Sequence, residues 1–392
     1  MNILIANLGS TSFKYRLYKI ENGTETPVAD GSYESVTNYV DVINDALNNL
    51  TTGGHIGAIS DIDAVGFKTV LGKDLSGCVD DEEAIIAALE GFKEVAPAHN
   101  PPYAQGIKQF RELLPEARLV ALFETAFYQW IPEASTRYAV PQAWYDIGIR
   151  RYGFHGASHK FIAERSAELM GRDDVVQNVK KLYADGPQEI EGDPLRVISF
   201  HLGGSSSVTG IKNGVAIGTS MGFSPQSGLP QNNRVGDLDS EALPYAMKKL
   251  GLTLEEAQKQ LTTEGGFKGL SSLSNDMRAV QIKAEEEGDE TCQLALDVFI
   301  KSCRKWASSF LFELGGIDAI SFTAGIGEND KWARDEICKG LEEFGVKIDP
   351  ERNNVRGKET LISADDSKVK VYVIPTNEEL VLVREVNQKV SS

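Results

Sequence analysis

The chain is sparing with cysteine, with basic charge and with long apolar runs, and each shortage excludes something. Its cysteines, Cys78, Cys292, Cys303 and Cys338, are scattered without metal-ligand spacing, so free thiols in a reducing cytosol are expected. No apolar run approaches the length of a membrane span. The first residues enter a strand pattern at once, without the charged leader and apolar core of a secretory signal, so a cytoplasmic protein is expected. Lys and Arg number 40 against 57 Asp and Glu, a formal net charge of −17, which argues against nucleic acid or an anionic membrane as the main partner. An anionic substrate would then need a local basic pocket inside an acidic shell. There is no low-complexity segment and no coiled-coil repeat. What remains is ordinary for a globular protein: 392 residues, 41% hydrophobic and 25% charged, long enough that two domains are expected.

Within that composition one motif occurs twice. Ile3 to Leu8 is an apolar strand that enters a small-residue turn, Gly9-Ser10-Thr11-Ser12, then a returning strand from Phe13 and an Asn22-Gly23 hairpin signal. Val197 to Leu202 enters Gly203-Gly204-Ser205-Ser206-Ser207, returns from Val208 and reaches Asn213-Gly214. Tight turns of Gly and Ser let backbone N–H groups and hydroxyls converge on an anion, and phosphate is the usual guest. Either turn alone reads as an ordinary hairpin; two with matched flanks point to a duplicated domain holding a nucleotide between its halves.

Strand and helix patterns alternate elsewhere. Strands are expected at 63–67, 119–124, 317–323 and 368–374, and helices at 82–92, 103–114, 158–170, 289–314 and 377–389, with Ser158 as a cap. The segment Val95 to Pro102 reads as neither helix nor central strand because its prolines remove donors. Asp173 to Asp193 reads as a polar surface insertion. The strand ending at Thr323 opens onto Ala324-Gly325-Ile326-Gly327-Glu328-Asn329, a glycine turn before a helix that suits a nucleotide.

Taken in order, Asn7-Leu-Gly-Ser-Thr-Ser-Phe-Lys14, Arg151-Tyr-Gly-Phe-His155-Gly-Ala-Ser-His159, His201-Leu-Gly-Gly204, Thr219 to Pro225 leading to Arg234-Val-Gly-Asp237, Ser274-Asn-Asp276-Met277-Arg278, Gly325 to Asn329 and Thr376-Asn-Glu378-Glu379 resemble the acetate kinase family over nearly the whole chain. The resemblance implies an α/β, duplicated two-domain acetate and sugar kinase/Hsp70/actin (ribonuclease H-like) fold with a nucleotide cleft between the domains. The repeat then divides the chain into residues 1–127 plus 379–392 and residues 128–378. It implies ATP-dependent phosphorylation of a short-chain carboxylate, acetate first, with ATP/ADP and Mg2+ or Mn2+, in a homodimer. A carboxylate with a pKa of about 4 is already ionised at neutral pH, so the reaction needs no general base. The protein must position anions and neutralise charge during in-line transfer.

By the same resemblance His155 and Arg234 bind the phosphoryl group in flight, and His201 with Gly203, Gly204 and Ser205 contacts phosphate. Asn7 and Glu378 are magnesium-associated, and Lys14 lies in the N-terminal ATP motif. Asp276, Met277 and Arg278, with Ala324, Gly325, Ile326, Gly327, Glu328 and Asn329, form the adenosine pocket. Read alone, Arg234 also suits a surface pair with Asp237 or Asp239, and Glu378 suits the N-terminus of the last helix.

The departures from the family pattern cluster near the acceptor. Phe67-Lys68-Thr-Val70-Leu71-Gly-Lys73 stands for His-Arg-Val-Val-His-Gly-Gly, so the carboxylate-binding arginine is Lys68, which keeps the charge and loses the planar fork. Glu124 replaces the aspartate of Phe-Asp-Thr-Ala-Phe, Gln231-Asn232-Asn233 precedes Arg234 in place of Met-Gly-Thr, and Ala324 replaces a glycine. A working phosphotransferase with a retuned acceptor site is expected. The alternatives are a kinase of the same superfold acting on a hydroxyl or another small acid, with Glu124 as base, and an inactive nucleotide-binding homologue.

Overall fold

Strand β1 (Asn2–Leu8) sits at the middle of a sheet whose order is β3-β2-β1-β4-β6-β5, and its counterpart β7 (Arg196–Leu202) sits at the middle of a second sheet. The structure, a computed structural model, describes residues 1–392 apart from Ser10, Pro97 and Ala98. Ser10 of the first turn and the Pro97-Ala98 pair therefore lie outside the described residues.

In the first sheet, β2 (Ser12–Glu21) and β3 (Thr24–Glu34) form antiparallel hairpins from β1, while β4 (Ala64–Thr69) and β6 (Arg118–Phe123) run parallel to it. The two-residue β5 (Cys78–Val79) closes the edge antiparallel to β6. The second sheet repeats this pairing for pairing, with order β9-β8-β7-β10-β12-β11. Here β8 (Ser206–Lys212) and β9 (Val215–Thr219) are the hairpin strands, β10 (Ala319–Thr323) and β12 (Lys370–Val373) the parallel ones, and β11 (Thr360–Leu361) the antiparallel edge. The duplication inferred from two turns thus extends through six strands of each half.

The central strands carry apolar residues on both faces because both faces are covered. Leu4, Ala6 and Leu8 pack under the Tyr39–Thr52 and Asn100–Leu113 helices, whereas Ile3 and Ile5 pack against Val381, Leu382 and Val386 of the last helix, Glu378–Ser391. In the second sheet Val197 and Ile211 face the Gly156–Leu169 and Asp173–Asp185 helices. Ile198, Phe200 and Val208 face the long Glu290–Leu314 helix. The C-terminal ends of the parallel strands point Asn7, Lys68, Glu124, His201 and Thr323 to one side of each sheet, where open α/β sheets bind ligands.

Four local expectations are corrected. The helix expected from Tyr103 starts at Asn100, with prolines in its first turn, where a missing N–H costs nothing. The helix expected from Ser158 starts at Gly156 behind His155, and Ser158 is buried and turned to His201 instead of capping. The supposed insertion after Asp173 is a helix to Asp185, because Val175, Val176, Val179 and Leu182 form one buried stripe among the polar residues. The glycine turn after Thr323 is itself a one-turn helix, Ala324–Asn329, with φ of 64° at Ala324.

Candidate active site

The first cluster is built by strand ends. Lys68 lies next to last in β4, Glu124 directly follows β6, and Glu378 opens the last helix with Asn377 as its cap. Three chain segments far apart in sequence thus meet at one ammonium. Lys68 Nζ lies 2.8 Å from Glu124 Oε1 and also donates to Glu378 Oε2. Burial alone would lower the Lys68 ammonium, but the charges of Glu124 and Glu378 outweigh it and hold it above its ordinary range. The carboxylates respond in opposite senses. Burial pushes Glu124 up, with Lys68 opposing, whereas Lys68 and His201 hold Glu378 below the usual range against its own burial. Glu124 Oε2 is buried and meets no hydrogen-bond partner among the described residues.

Lys68 and Glu378 line a cavity of about 480 Å³ together with Asn7, Lys14 and Arg16. Asn7 Oδ1 accepts from the Tyr103 hydroxyl at 2.9 Å, and Asn7 is the register partner of Lys14 across the first hairpin. Lys14 is exposed and 3.7 Å from Glu34, a pairing that screens it little.

The second cluster forms on the other sheet. His155 precedes the Gly156–Leu169 helix with φ of 63°, a left-handed conformation uncommon for a residue with a side chain. The following residue has to be glycine: the Gly156 amide donates to the Glu124 carbonyl at 3.0 Å, and a Cβ there would sit 2.3 Å from that oxygen. This contact joins the end of β6 to the helix carrying His155. The His155 ring lies flat on His201, with centroids 3.9 Å apart and planes 19° apart. Burial, then the neighbouring histidines and the Lys68 and Arg234 charges, hold His155 well below its ordinary range; burial pushes His201 down to about 4. Both rings are therefore neutral donors or acceptors at neutral pH.

Beside them, the Gly203–Ser205 turn meets the Arg234 loop. Arg234 Nη1 donates to Ser205 Oγ at 3.3 Å and to Gln231 Oε1 at 3.2 Å, and the Asn232 amide donates to the Gly204 carbonyl at 3.2 Å. Arg234 has no carboxylate partner among the described residues; Asp237 instead accepts from the Gly228 amide and lies 3.8 Å from Lys305. A surface pair of Arg234 with Asp237 or Asp239 is thereby corrected. Its guanidinium is half-buried, and that burial lowers its pKa.

Gly203 also abuts the third element. A Cβ on it would lie 3.5 Å from Ala324 Cβ and 3.8 Å from the Gly325 amide nitrogen. The Glu328 carboxylate folds back to accept from the Ala324 amide at 2.9 Å, and Asn329 donates to the Gly325 carbonyl at 2.9 Å. Ile326 packs at the margin of the second core and Gly327 is buried. Asp276 caps its helix through the Arg278 amide and pairs with the exposed Arg278 side chain, while Met277 is buried in the core. Gln281 of that helix donates to Asp330 at 2.7 Å, tying Asp276–Arg278 to the Ala324–Asn329 turn.

Sequence reasoning missed Arg334. Its guanidinium is fully buried and donates to the carbonyls of Gly327, Asn353 and Val355 and to Asn353 Oδ1, so it pins the glycine turn from behind. Nothing in a Lys-Trp-Ala-Arg helix marks it, since the pattern reads as a solvated face. It also passed over Tyr103 and the serines that hold the histidines. Among the described residues no helix is long and apolar enough to cross a membrane.

Known proteins resemble this chain over nearly its whole length. The family model described as the acetokinase family matches residues 2–384. The acetate kinase of Limosilactobacillus fermentum is 39% identical over 412 aligned positions, covering 98% of this chain and 98% of its own length. Among solved structures, the acetate kinase of Porphyromonas gingivalis is 31% identical with a TM-score of 0.87, covering 99% of both chains. A propionate kinase from Francisella tularensis is 30% identical with a TM-score of 0.82, covering 98% of both chains. With the duplicated sheets, the strand-end cluster and the Arg234 turn in place, the chain belongs to the acetokinase family.

Proposed function

We propose that this protein is an ATP-dependent kinase with a carboxyl acceptor, converting acetate and ATP to acetyl phosphate and ADP, reversibly. A carboxylate oxygen of acetate attacks the γ-phosphorus as the bond to the β,γ-bridging oxygen breaks, and ADP carries away that oxygen. The observation that carries this reading is Arg234, a half-buried cation with no carboxylate partner among the described residues, held by Ser205 and Gln231 at the Gly203–Ser205 turn. A cation so placed offers its charge to the phosphoryl group in flight. The neutral His155 beside it donates a hydrogen bond to the same group.

Lys68 holds the acceptor end. Its ammonium is shared by Glu124 and Glu378, so Glu124 is not a free base, which disfavours a hydroxyl acceptor. Three residues on, Leu71 belongs to an apolar cluster with Phe92, Tyr152, Phe154 and Met221, a wall suited to a short acyl chain. Acetate is the first acceptor and propionate the second. Lys14, Asp276, Met277, Arg278 and the Ala324–Asn329 turn serve the nucleotide, with Met277 acting through the core.

The residues present fit a Mg2+ or Mn2+ ion. Asn7 Oδ1 and Glu378, which line one cavity, are hard oxygen donors, few in number, as suits a metal completed by substrate phosphates. When bound, such an ion neutralises charge on the phosphates. We further propose a cytoplasmic homodimer with domains at residues 1–127 plus 379–392 and 128–378. A hydroxylamine trap with Mg-ATP and formate, acetate, propionate, butyrate or glycolate tests the reaction. Hydroxamate from acetate, lost in His155→Ala and Arg234→Ala, is expected; silence across the panel in protein that binds ATP overturns it.

A further inference from the structure

Behind His155, away from the cleft, two serines and a second histidine form a line. Ser199 Oγ on β7 lies 2.8 Å from His159 Nδ1, His159 Nε2 lies 2.8 Å from Ser207 Oγ on β8, and Ser207 Oγ lies 2.9 Å from His155 Nδ1. Ser199, His159 and Ser207 are fully buried. Among the described residues, the Ser199 hydroxyl meets no partner but His159, and the Ser207 hydroxyl none but the two rings.

We propose that Ser199, His159 and Ser207 are positioning residues that form a one-way hydrogen-bond chain and hold His155 as the Nε2–H tautomer. The assignment deepens, and rests on, the phosphoryl-binding reading of His155 above.

The direction follows from counting protons. A neutral imidazole has one N–H and one lone pair, and a serine hydroxyl has one proton. Ser207 could accept from both rings only by stranding its own proton in the buried site, so with every hydroxyl proton bonded each link runs head to tail and the whole chain reverses together. In the forward sense Ser199 donates to His159 Nδ1, His159 Nε2–H donates to Ser207, and Ser207 donates to His155 Nδ1. His155 then carries its proton on Nε2, its remaining nitrogen, ready to donate to an anionic oxygen. In the reverse sense Ser199 becomes the acceptor and its own proton is stranded in a site without water-accessible surface, which disfavours that sense by about tenfold or more. Reversal would also present a lone pair at His155 Nε2, which repels a phosphoryl oxygen.

Two observations support neutrality, without which the count fails. Burial holds both His155 and His159 well below their ordinary range, with neighbouring histidines adding to it. The flat stack of His155 on His201 also disfavours charging both rings together. His201 is served separately, its Nδ1 2.8 Å from Ser158 Oγ, so it does not branch the chain.

With only five histidines in the protein, ring 15N NMR of the whole chain resolves the tautomers, the signals being assigned by His155→Gln and His159→Gln. In the wild type, both His155 and His159 should be about nine-tenths Nε2–H or more. Ser199→Ala should bring both rings towards equal populations and lower kcat about twofold at unchanged KM for acetate, the active fraction having been halved. In a Ser207→Ala background, adding Ser199→Ala should no longer move His155. A wild-type His155 found as Nδ1–H overturns the proposal whatever the serine variants do. So does a His155 tautomer that stays put in both variants while only thermal stability falls, since that marks packing alone. Failure of the underlying reading shows elsewhere, as absence of hydroxamate from the wild type.

Discussion

Lys68 Nζ lies 2.8 Å from Glu124 Oε1, so a shortened cation meets a lengthened carboxylate. The family resemblance implies arginine and aspartate at these two positions, and we propose that the methylene gained on Glu124 compensates for the reach lost on Lys68. We expect Lys68→Arg and Glu124→Asp each to lower kcat/KM for acetate about tenfold to 10², and the double variant to recover at least tenfold over the product of the singles. Additive losses in the hydroxamate assay would show that the two residues act independently. Lys68→Ala should also destabilise the fold by about 3 kcal/mol in urea titration, because two carboxylates are left facing each other without a counter-ion.

Arg234 separates catalysis from stability. It forms no ion pair among the described residues, so Arg234→Ala should leave Tm nearly unchanged while lowering kcat about 10³-fold. Arg234→Lys should recover part of that loss. A large fall in Tm with modest kinetic change would assign the side chain to the loop's packing.

Arg334 should behave in the opposite way. Burial lowers its pKa to about 10, so it remains charged at neutral pH and is satisfied only by its protein acceptors. Arg334→Ala removes the charge and leaves buried carbonyls of Gly327 and Asn353 unpaired, at a cost of about 3 kcal/mol or more. Calorimetric titration should then show weaker ATP binding with acetate binding unaffected, since the glycine turn and not the Lys68 cluster has lost its support. Equal weakening of both ligands would count against a role for the turn in nucleotide binding.

His201 makes stability depend on pH in a known direction. Its folded pKa of about 4 lies below the ordinary value of about 6.5, so between these values the unfolded chain binds more protons than the native one. Its contribution to stability is therefore complete above about pH 6.5 and is lost as pH falls towards 4, by up to about 1.4 kcal/mol per pH unit. Urea midpoints for the wild type and His201→Asn between pH 7 and 4.5 measure the difference in slope. Parallel curves would mean that His201 titrates normally in the folded state.

The contrast between residues legible in sequence and residues that were not is consistent. Turn glycines and strand periodicity mark the strand ends where Asn7 and His201 lie, because turns and strands are local and carry their signals in adjacent residues, whereas His155 and Arg234 stand out only through the family resemblance. The Asp173–Asp185 helix was misread because four buried apolar residues are diluted by polar neighbours. The proline segment was misread because proline excludes a helix interior but not its first turn.

The linear chain by itself determined the duplication, the alternation of strand and helix, and the family resemblance that proposes which residues handle phosphate. Tertiary structure alone decided what those residues are bonded to. It decided that Lys68 is held by Glu124 and by Glu378, 310 positions away in sequence, that Arg234 has no carboxylate partner among the described residues, that Arg334 is buried behind the glycine turn, and that Ser199, His159 and Ser207 line up behind His155. The reason is physical. Secondary structure follows from short-range sterics and periodicity, whereas a charge or tautomer is set by groups within a few ångströms in space, which only parallel strands ending side by side bring together.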